Sequence, residues 1–422
     1  MNKIDVVLGL QWGDEGKGKI ADFLTPNYQI IARFQGGPNA GHSLKFNGKT
    51  HVLNTIPSGI FHENTTNVIG NGVVVDPVRI KSEIERVIEA GADVRQNLLF
   101  SKKAHVILPT HRLLDAASEH AKGDAKIGST LRGIGPTYRD KIGRNGVRLG
   151  DLFHPNFKQK YEAIKKEQLA LVEFLGYKDF DINALDQEFF EACEFLKEFK
   201  FEDTEYFING AIPTHKILAE GAQGSMLDID FGSYPFVTSS NTISGGVCNG
   251  LGIAPQNIGD VYGIFKAYCT RVGSGPFPSE LLDETGELLR KKGNEFGATT
   301  GRPRRCGWLD LVALKYAIML SGVNRLIMMK SDVLSEFDEV KVAVAYKVNG
   351  TETNQIPYDL CNETVEPIYK SFKGWSEDLT ICRKKSDLPQ NFLDYIQYLE
   401  TELALPIHII SVGPDREQTI LD

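Results

Sequence analysis

An aspartate sits inside a stretch whose composition otherwise suits anion binding. Residues Gly9-Leu10-Gln11-Trp12-Gly13-Asp14-Glu15-Gly16-Lys17-Gly18-Lys19 follow the apolar run from Ile4 to Leu8 and precede Ile20-Ala21-Asp22-Phe23-Leu24, which can begin a helix. A strand-to-helix turn of this kind offers unpaired backbone N–H groups and the positive end of the helix dipole, and its glycines let a phosphate come close. From Gly13 the spacing follows the phosphate-loop pattern to Gly18 and Lys19, but Ile20 stands where a hydroxyl should hold magnesium. Asp14 would be repelled by a polyphosphate unless a cation or a protonated partner lay between them. A carboxylate at that point therefore suggests catalysis in addition to nucleotide binding. A merely glycine-rich turn with solvated charges leaves the Gly-Lys-Gly-Lys density unexplained.

Further along, other loops carry reactive or anion-binding groups. Gln35-Gly36-Gly37-Pro38-Asn39-Ala40-Gly41-His42-Ser43 is a second glycine-rich loop after a strand. An isolated histidine is commonly a structural hydrogen-bonder. If both strands belong to one parallel sheet, however, their loops leave the same edge, and Asp14 and His42 can face one substrate. Residues 123 to 148 interleave glycines with Lys126, Arg132, Arg139, Lys141, Arg144 and Arg148, which reads as an irregular basic loop able to wrap an anion. Ile217-Leu218-Ala219-Glu220 discharges into Gly221-Ala222-Gln223-Gly224, and residues 235 to 242 form a hydroxyl-rich loop. In Thr299-Thr300-Gly301-Arg302-Pro303-Arg304-Arg305, hydroxyls and guanidinium groups suit bidentate capture of a carboxylate. Lys330-Ser331-Asp332 follows a strand. There the aspartate could accept the N1–H and 2-amino hydrogens of guanine, a pattern adenine lacks.

The elements that must hold these loops are legible as apolar runs. Strands are expected at residues 28 to 34, 98 to 100, 106 to 108, 261 to 268, 326 to 329 and 407 to 410, and residues 68 to 75 carry Gly70-Asn71-Gly72 between apolar residues. A helix begins with Asp76 as N-cap and Pro77 in its first turn, stops at Gly91, and turns Ile80, Ile84, Val87 and Ile88 inward. Thr110 is expected to cap a helix to about Lys122, and Leu311, Leu314 and Ile318 mark an amphipathic one. Residues 151 to 210 read as a helical excursion. Residues 340 to 400 read as a smaller lobe opening with an exposed antiparallel strand at 340 to 348. The fold class is α/β, a large central, mostly parallel sheet flanked by helices in phosphate-loop fashion, with helical and small antiparallel excursions.

Composition narrows the function. A formal charge of −8 argues against a general nucleic-acid binder, so any basic site is local. The six cysteines are dispersed without a Cys-x-x-Cys pair, which indicates reduced thiols rather than a zinc site or disulfide framework. The first residues read directly into a strand, without a basic leader or an apolar segment long enough to cross a membrane, so a cytoplasmic location is expected.

These separated motifs together resemble the adenylosuccinate synthetase family. The resemblance rests on Gln11 to Lys19, Asn39-Ala40-Gly41-His42, Gly297-Ala298-Thr299-Thr300-Gly301-Arg302, Lys330-Ser331-Asp332 and Ser411-Val412-Gly413-Pro414, and it covers nearly the whole chain as one unit, residues 1–422. It implies a magnesium-dependent homodimer that condenses IMP with L-aspartate at the expense of GTP, through a 6-phosphoryl-IMP intermediate, in the first committed step from IMP to AMP. By the same resemblance Asp14 is the base at N1 of IMP, His42 contacts the transferring phosphoryl group, and Lys17 and Gln223 complete the catalytic set. Asp14, Lys17, Asn39, Thr130, Gln223, Thr238 and Arg302 surround IMP, with Arg144 reaching across from the other subunit. Gly13, Glu15, Gly16, Lys17, Gly18, Lys19, Gly41, His42, Lys330, Asp332, Ser411 and Gly413 hold GTP. Thr299, Thr300, Arg302 and Arg304 hold the aspartate carboxylates, and Asp14 with the Gly41 carbonyl holds Mg2+. Leu131, Pro303 and Ser331 depart from the family's pattern.

Two other readings stay open at this level. A GTPase-type regulator also explains the phosphate loop and Lys330-Ser331-Asp332, but it leaves Asp14 and the basic loop idle. A related purine synthetase with another substrate differs only in its pockets.

Overall fold

A computed structural model describes residues 2–46, 48–123, 127–297 and 301–421. Its centre is a ten-stranded sheet. From one edge to the other the strands are Thr419–Leu421, Ile407–Ser411, Arg325–Met329, Ile258–Lys266, Ile4–Gly9, Ile217–Glu220, Ile30–Arg33, Thr66–Ile69, Leu98–Ser101 and Lys200–Glu202. Every neighbouring pair is parallel except the edge strand Thr419–Leu421, which runs antiparallel to Ile407–Ser411. Such a sheet needs cover on both faces, which is why its strands are runs of apolar residues rather than alternations. Val7, Ile31, Leu218, Ile264, Ile327 and Ile409 meet Ile20, Ala21 and Leu24 of the Lys17–Leu24 helix on one face, while Ile4, Val6, Leu8, Ala32, Ala219, Leu326 and Met328 build the larger core. The two sets differ because successive side chains of a strand point to opposite faces.

Parallel strands place most of the motif loops at their common carboxyl edge. The loop after Ile4–Gly9 carries Asp14, the loop after Ile30–Arg33 leads to His42, and those after Ile217–Glu220, Arg325–Met329 and Ile407–Ser411 carry Gln223, Asp332 and Gly413. Ligands of open α/β sheets sit at this edge.

Local structure departs from the sequence expectation in four places. The Pro77–Glu89 helix is capped by the Asp76 side chain, which accepts from the amides of Val78 and Arg79, and Ile80, Ile84 and Val87 are buried, but Ile88 is 40% exposed. At 100° per residue Ile88 falls at the border of the apolar stripe. The next long helix, Pro109–Lys122, is closed by His111 Nδ1 accepting from the Leu108 amide, while the Thr110 hydroxyl instead donates to Gln168. Pro109 occupies the first turn and moves the cap ahead of Thr110. Within the basic glycine-rich stretch, Ile134–Gly143 is a helix, begun by Gly133 and ended by Arg144, both left-handed. Glycine density there marks helix ends rather than a continuous loop. The strand Glu339–Val348 is antiparallel to Thr351–Thr353 and Val365–Lys373 but not exposed: Val340, Val342, Ala343 and Tyr346 are buried, and it also pairs in parallel with Leu309–Asp310.

The excursion contains the helices Phe157–Phe174, Ile182–Leu196 and Thr204–Ala211. Phe157, Tyr161, Phe189, Cys193 and Leu196 are buried there, and the short strand Lys200–Glu202 adds an edge to the sheet. No helix among the described residues is long and apolar enough to cross a membrane.

Candidate functional site

The loop after the first strand is held open by its own carboxylate. Gly13, Asp14 and Gly16 have φ of 86°, 58° and 97°, so the backbone turns sharply around the following side chain. That side chain is Glu15, fully buried, which accepts from the amides of Gln11 at 3.1 Å and Gly13 at 2.9 Å and pairs with Lys17. Gly9 and Gly224 make room for it, since a Cβ there would lie 2.1 Å and 2.4 Å from its oxygens. Glu15 and Lys17, both expected on the nucleotide, are thus paired with each other. The loop is fastened to the next strands by Gln11, whose amide donates to the carbonyls of Lys266 and Tyr268 and accepts from the Lys266 amide.

Lys19 points elsewhere. Its ammonium donates to Ser411 Oγ (2.8 Å), Gly413 O (2.8 Å) and Gln418 O (3.1 Å), so it shapes the last loop of the sheet edge. Burial pushes its pKa down to about 8, against the opposing charges of Asp332 and Asp415. Arg416 clamps the same loop to the first helix through both oxygens of Asp22. Asp332 faces this region with Oδ1 buried and unpartnered, and burial raises its pKa.

His42 begins the strand His42–Phe46, close against the first helix: a Cβ on Gly18 would lie 2.7 Å from its own Cβ. Its Nδ1 meets Glu220 Oε1 at 2.5 Å, and Glu220 also accepts from the Ser58 hydroxyl and amide. His42 Nε2 is buried with no partner. Burial lowers the His42 pKa while Glu220 opposes the shift. Burial likewise works against the Glu220 carboxylate, yet His42, Arg33 and Ser58 hold its pKa below the usual range. Two further polar side chains on this edge stand ready for ligands: both amide atoms of Gln223, itself at a φ of 56°, and Asn39 Oδ1 are buried and unpartnered.

Asp14 lies on the other side of the loop, its Oδ2 accepting from Arg304 Nε at 2.7 Å. Arg304 also donates from Nη1 to Glu295 Oε2 at 2.6 Å. Glu295 is fully buried, and its Oε1 receives Lys266 at 3.1 Å, Lys330 at 3.0 Å and the Tyr268 hydroxyl. Burial works against its charge, but Lys266, Lys330 and Arg304 hold its pKa well below the carboxylate range. Lys330 is therefore tied to Glu295 and to Gly293 O.

The structure brings Asp14, Arg304 and Lys330 into one network and places His42, Asn39 and Gln223 along the same edge. Thr238 is half-buried in the adjoining loop, which Ser240 links to Gln35. Thr130, Arg144 and Arg302 are exposed. Thr299 and Thr300 lie outside the described residues. Sequence reasoning missed Glu220, Glu295, Lys266 and Arg33. Glu295 lies in the polar turn Gly293-Asn294-Glu295 and gives no signal, whereas Arg33, Glu220 and Lys266 are charged residues that end buried apolar strands. That placement is the available signal, because an ionised group is rarely buried without a partner.

The donor set also bears on a metal. Among the described residues no group of three or more His, Cys, Asp or Glu side chains could hold one. A lone carboxylate beside a phosphate loop nevertheless suits Mg2+, which takes one or two carboxylates and completes its shell with phosphates and water.

The chain is similar to known proteins over its whole length. The family model described as adenylosuccinate synthetase matches residues 6–420. The adenylosuccinate synthetase of Parabacteroides distasonis is 60% identical over 420 residues, 99% of each chain, and that of Porphyromonas gingivalis is 59% identical over 422 residues, covering 100% of this chain and 99% of the other. The fully ligated adenylosuccinate synthetase from Plasmodium falciparum superposes with a TM-score of 0.93 at 39% identity, covering both chains in full. A cyanophage S-2L succinoaminodeoxyadenylate synthetase, at 18% identity and a TM-score of 0.62, covers 100% of this chain and 95% of its own and shares the fold.

Proposed function

The chain belongs to the adenylosuccinate synthetase family, and from that premise we propose how its residues divide the reaction. The enzyme ligates IMP and L-aspartate to adenylosuccinate and converts GTP to GDP and phosphate. The 6-oxygen of IMP is a poor leaving group and must first be made one. Asp14 takes the N1 proton, O6 attacks the γ-phosphate, and the aspartate amine then displaces phosphate from C6. The observation that carries this assignment is the set of buried, unpartnered atoms on the loop edge, His42 Nε2 and the Gln223 amide, which a ligand must satisfy.

His42 suits the phosphoryl group in its charged form. Glu220 holds Nδ1–H, so Nε2 can donate to a phosphoryl oxygen only when the ring is an imidazolium; burial lowers the ring's pKa, and the charges of Glu220 and of the phosphoryl group work toward that state. Lys17 and the loop amides after Gly13 hold the phosphates. Asp14 and the Gly41 carbonyl would hold Mg2+, which would supply charge neutralisation on the phosphates. Asn39, Thr130, Gln223, Thr238 and Arg302 surround IMP. Asp332, with its free acceptor, reads guanine, and Ser411 and Gly413 wall that pocket. Arg302, Arg304, Thr299 and Thr300 take the aspartate carboxylates. In a homodimer Arg144 reaches the partner's IMP, a reading supported by its exposure beside Ile142, an apolar side chain that is 79% exposed.

The test is a spectrophotometric assay with IMP, aspartate, GTP and magnesium. Adenylosuccinate absorbance that requires all of them is expected. GTP hydrolysis indifferent to IMP, with no such product, would overturn the reading in favour of a GTPase regulator.

A further inference from the structure

The basic loop is closed at its base by a short antiparallel ladder. Arg304 N donates to Glu295 O at 2.9 Å, Gly297 N donates to Arg302 O at 2.8 Å, and Phe296 bridges Pro303, so the segment leaves and rejoins the molecule at Glu295 and Arg304. The Glu295 side chain then faces two ways. Its Oε2 takes Arg304, whose Nε reaches Asp14, and its Oε1 takes Lys330 and Lys266 from the ends of two adjacent strands. Among the described residues the three cations around this fully buried anion pair with no other carboxylate except Asp14, a third exposed, which takes Arg304. A buried ion cluster is a poor source of stability, since desolvation offsets much of the attraction, but it fixes geometry closely.

We propose that Glu295 is a positioning residue of the ligation, a single buried carboxylate that sets both the cation for the amino-acid carboxylates, Arg304, and the cation of the guanine pocket, Lys330. This rests on the assignments of Arg304 and Lys330 given above. Without the charge of Glu295, Arg304 collapses onto Asp14 alone and Lys330 loses its anchor, so the aspartate and GTP sites loosen together. The IMP contacts assigned to Asn39, Thr130, Gln223 and Thr238 lie on other loops, so IMP binding changes least of the three.

The test is steady-state kinetics of the full chain with each substrate varied in turn, alongside thermal melting. Glu295→Gln is expected to raise the KM for aspartate about ten-fold and that for GTP several-fold, with the IMP KM within about two-fold of wild type. Glu295→Asp, which keeps the charge, recovers much of the loss. Tyr268→Phe, which removes an uncharged contact to the same oxygen, leaves all three constants near wild type. Should Glu295→Gln fail to fold, Lys330→Met decides: a change in the guanine pocket must also raise the aspartate KM. Arg304→Leu separates the two layers. If it leaves the aspartate KM unchanged, the underlying assignment fails. If it raises that KM while Glu295→Gln and Lys330→Met do not, the coupling through Glu295 is overturned and the assignment stands.

Discussion

The loop edge of the sheet and the helical excursion bury polar groups in opposite ways. In the helices Phe157–Phe174 and Ile182–Leu196 the buried polar atoms are satisfied: Gln168 accepts from Thr110 and donates to Asp140, Tyr161 donates to Asp186, and no side-chain atom of those helices is buried without a partner. At the loop edge His42, Asn39, Gln223 and Asp332 all present buried atoms with none. An unsatisfied buried polar group costs about 1–3 kcal/mol, so such a cluster persists where something else provides the missing bonds. The comparison teaches that the packing of these two helices is finished and the loop edge unfinished, completed by ligands.

Substitutions should separate the two regions by what they change. Asp14→Asn is expected to lower turnover most, by about 10² to 10⁴ from loss of the general base, with the IMP and GTP sites still binding. Near-normal turnover in single-turnover assays would dissolve the distinction between the regions. Glu220→Gln should cost about ten- to a hundred-fold in kcat by weakening support for charged His42, and combining it with His42→Asn should cost little beyond His42→Asn alone, since both act through one group. Independent, multiplying effects in that double-mutant cycle would contradict it.

Lys19 sharpens the comparison through pH. Its ammonium serves three acceptors, and as pH rises through about 8 it loses its charge and one N–H. The GTP KM should therefore climb above that pH in wild type and stay flat in Lys19→Arg, whose guanidinium remains charged. The same shift has the reverse sign for folding. A lysine whose folded pKa is depressed opposes folding while charged, so its share of stability improves as pH rises from about 8 toward its unfolded value near 10.4. In the excursion, Phe189→Ala removes a buried ring stacked on Tyr161 and should cost about 3–5 kcal/mol of stability with kcat unchanged below the melting transition. A fall in kcat at full folding would mean that the excursion takes part in the chemistry.

The sheet was readable because parallel strands buried on both faces must be apolar runs, and the phosphate loop because its glycines and lysines are local. Asp14 stood out for the same reason, as a carboxylate among groups arranged for anions. Glu220 and Glu295 were not readable, since their partners lie far away in sequence: His42 is 178 residues from Glu220, and Lys266 and Lys330 are 29 and 35 residues from Glu295. The helix at Ile134–Gly143 was hidden by Gly133, which begins it, and by Gly135 and Gly143 within it. Lys19 looked like a phosphate ligand by spacing, yet the helix turns it toward the loop after Ile407–Ser411.

The central claim is that the loop edge makes O6 of IMP attack the γ-phosphate. IMP carrying 18O at position 6 tests it in one turnover with GTP, magnesium and aspartate. The label is expected in the released inorganic phosphate with the wild-type enzyme, and its appearance should slow in Asp14→Asn as adenylosuccinate formation slows. Adenylosuccinate formed with unlabelled phosphate would contradict the account.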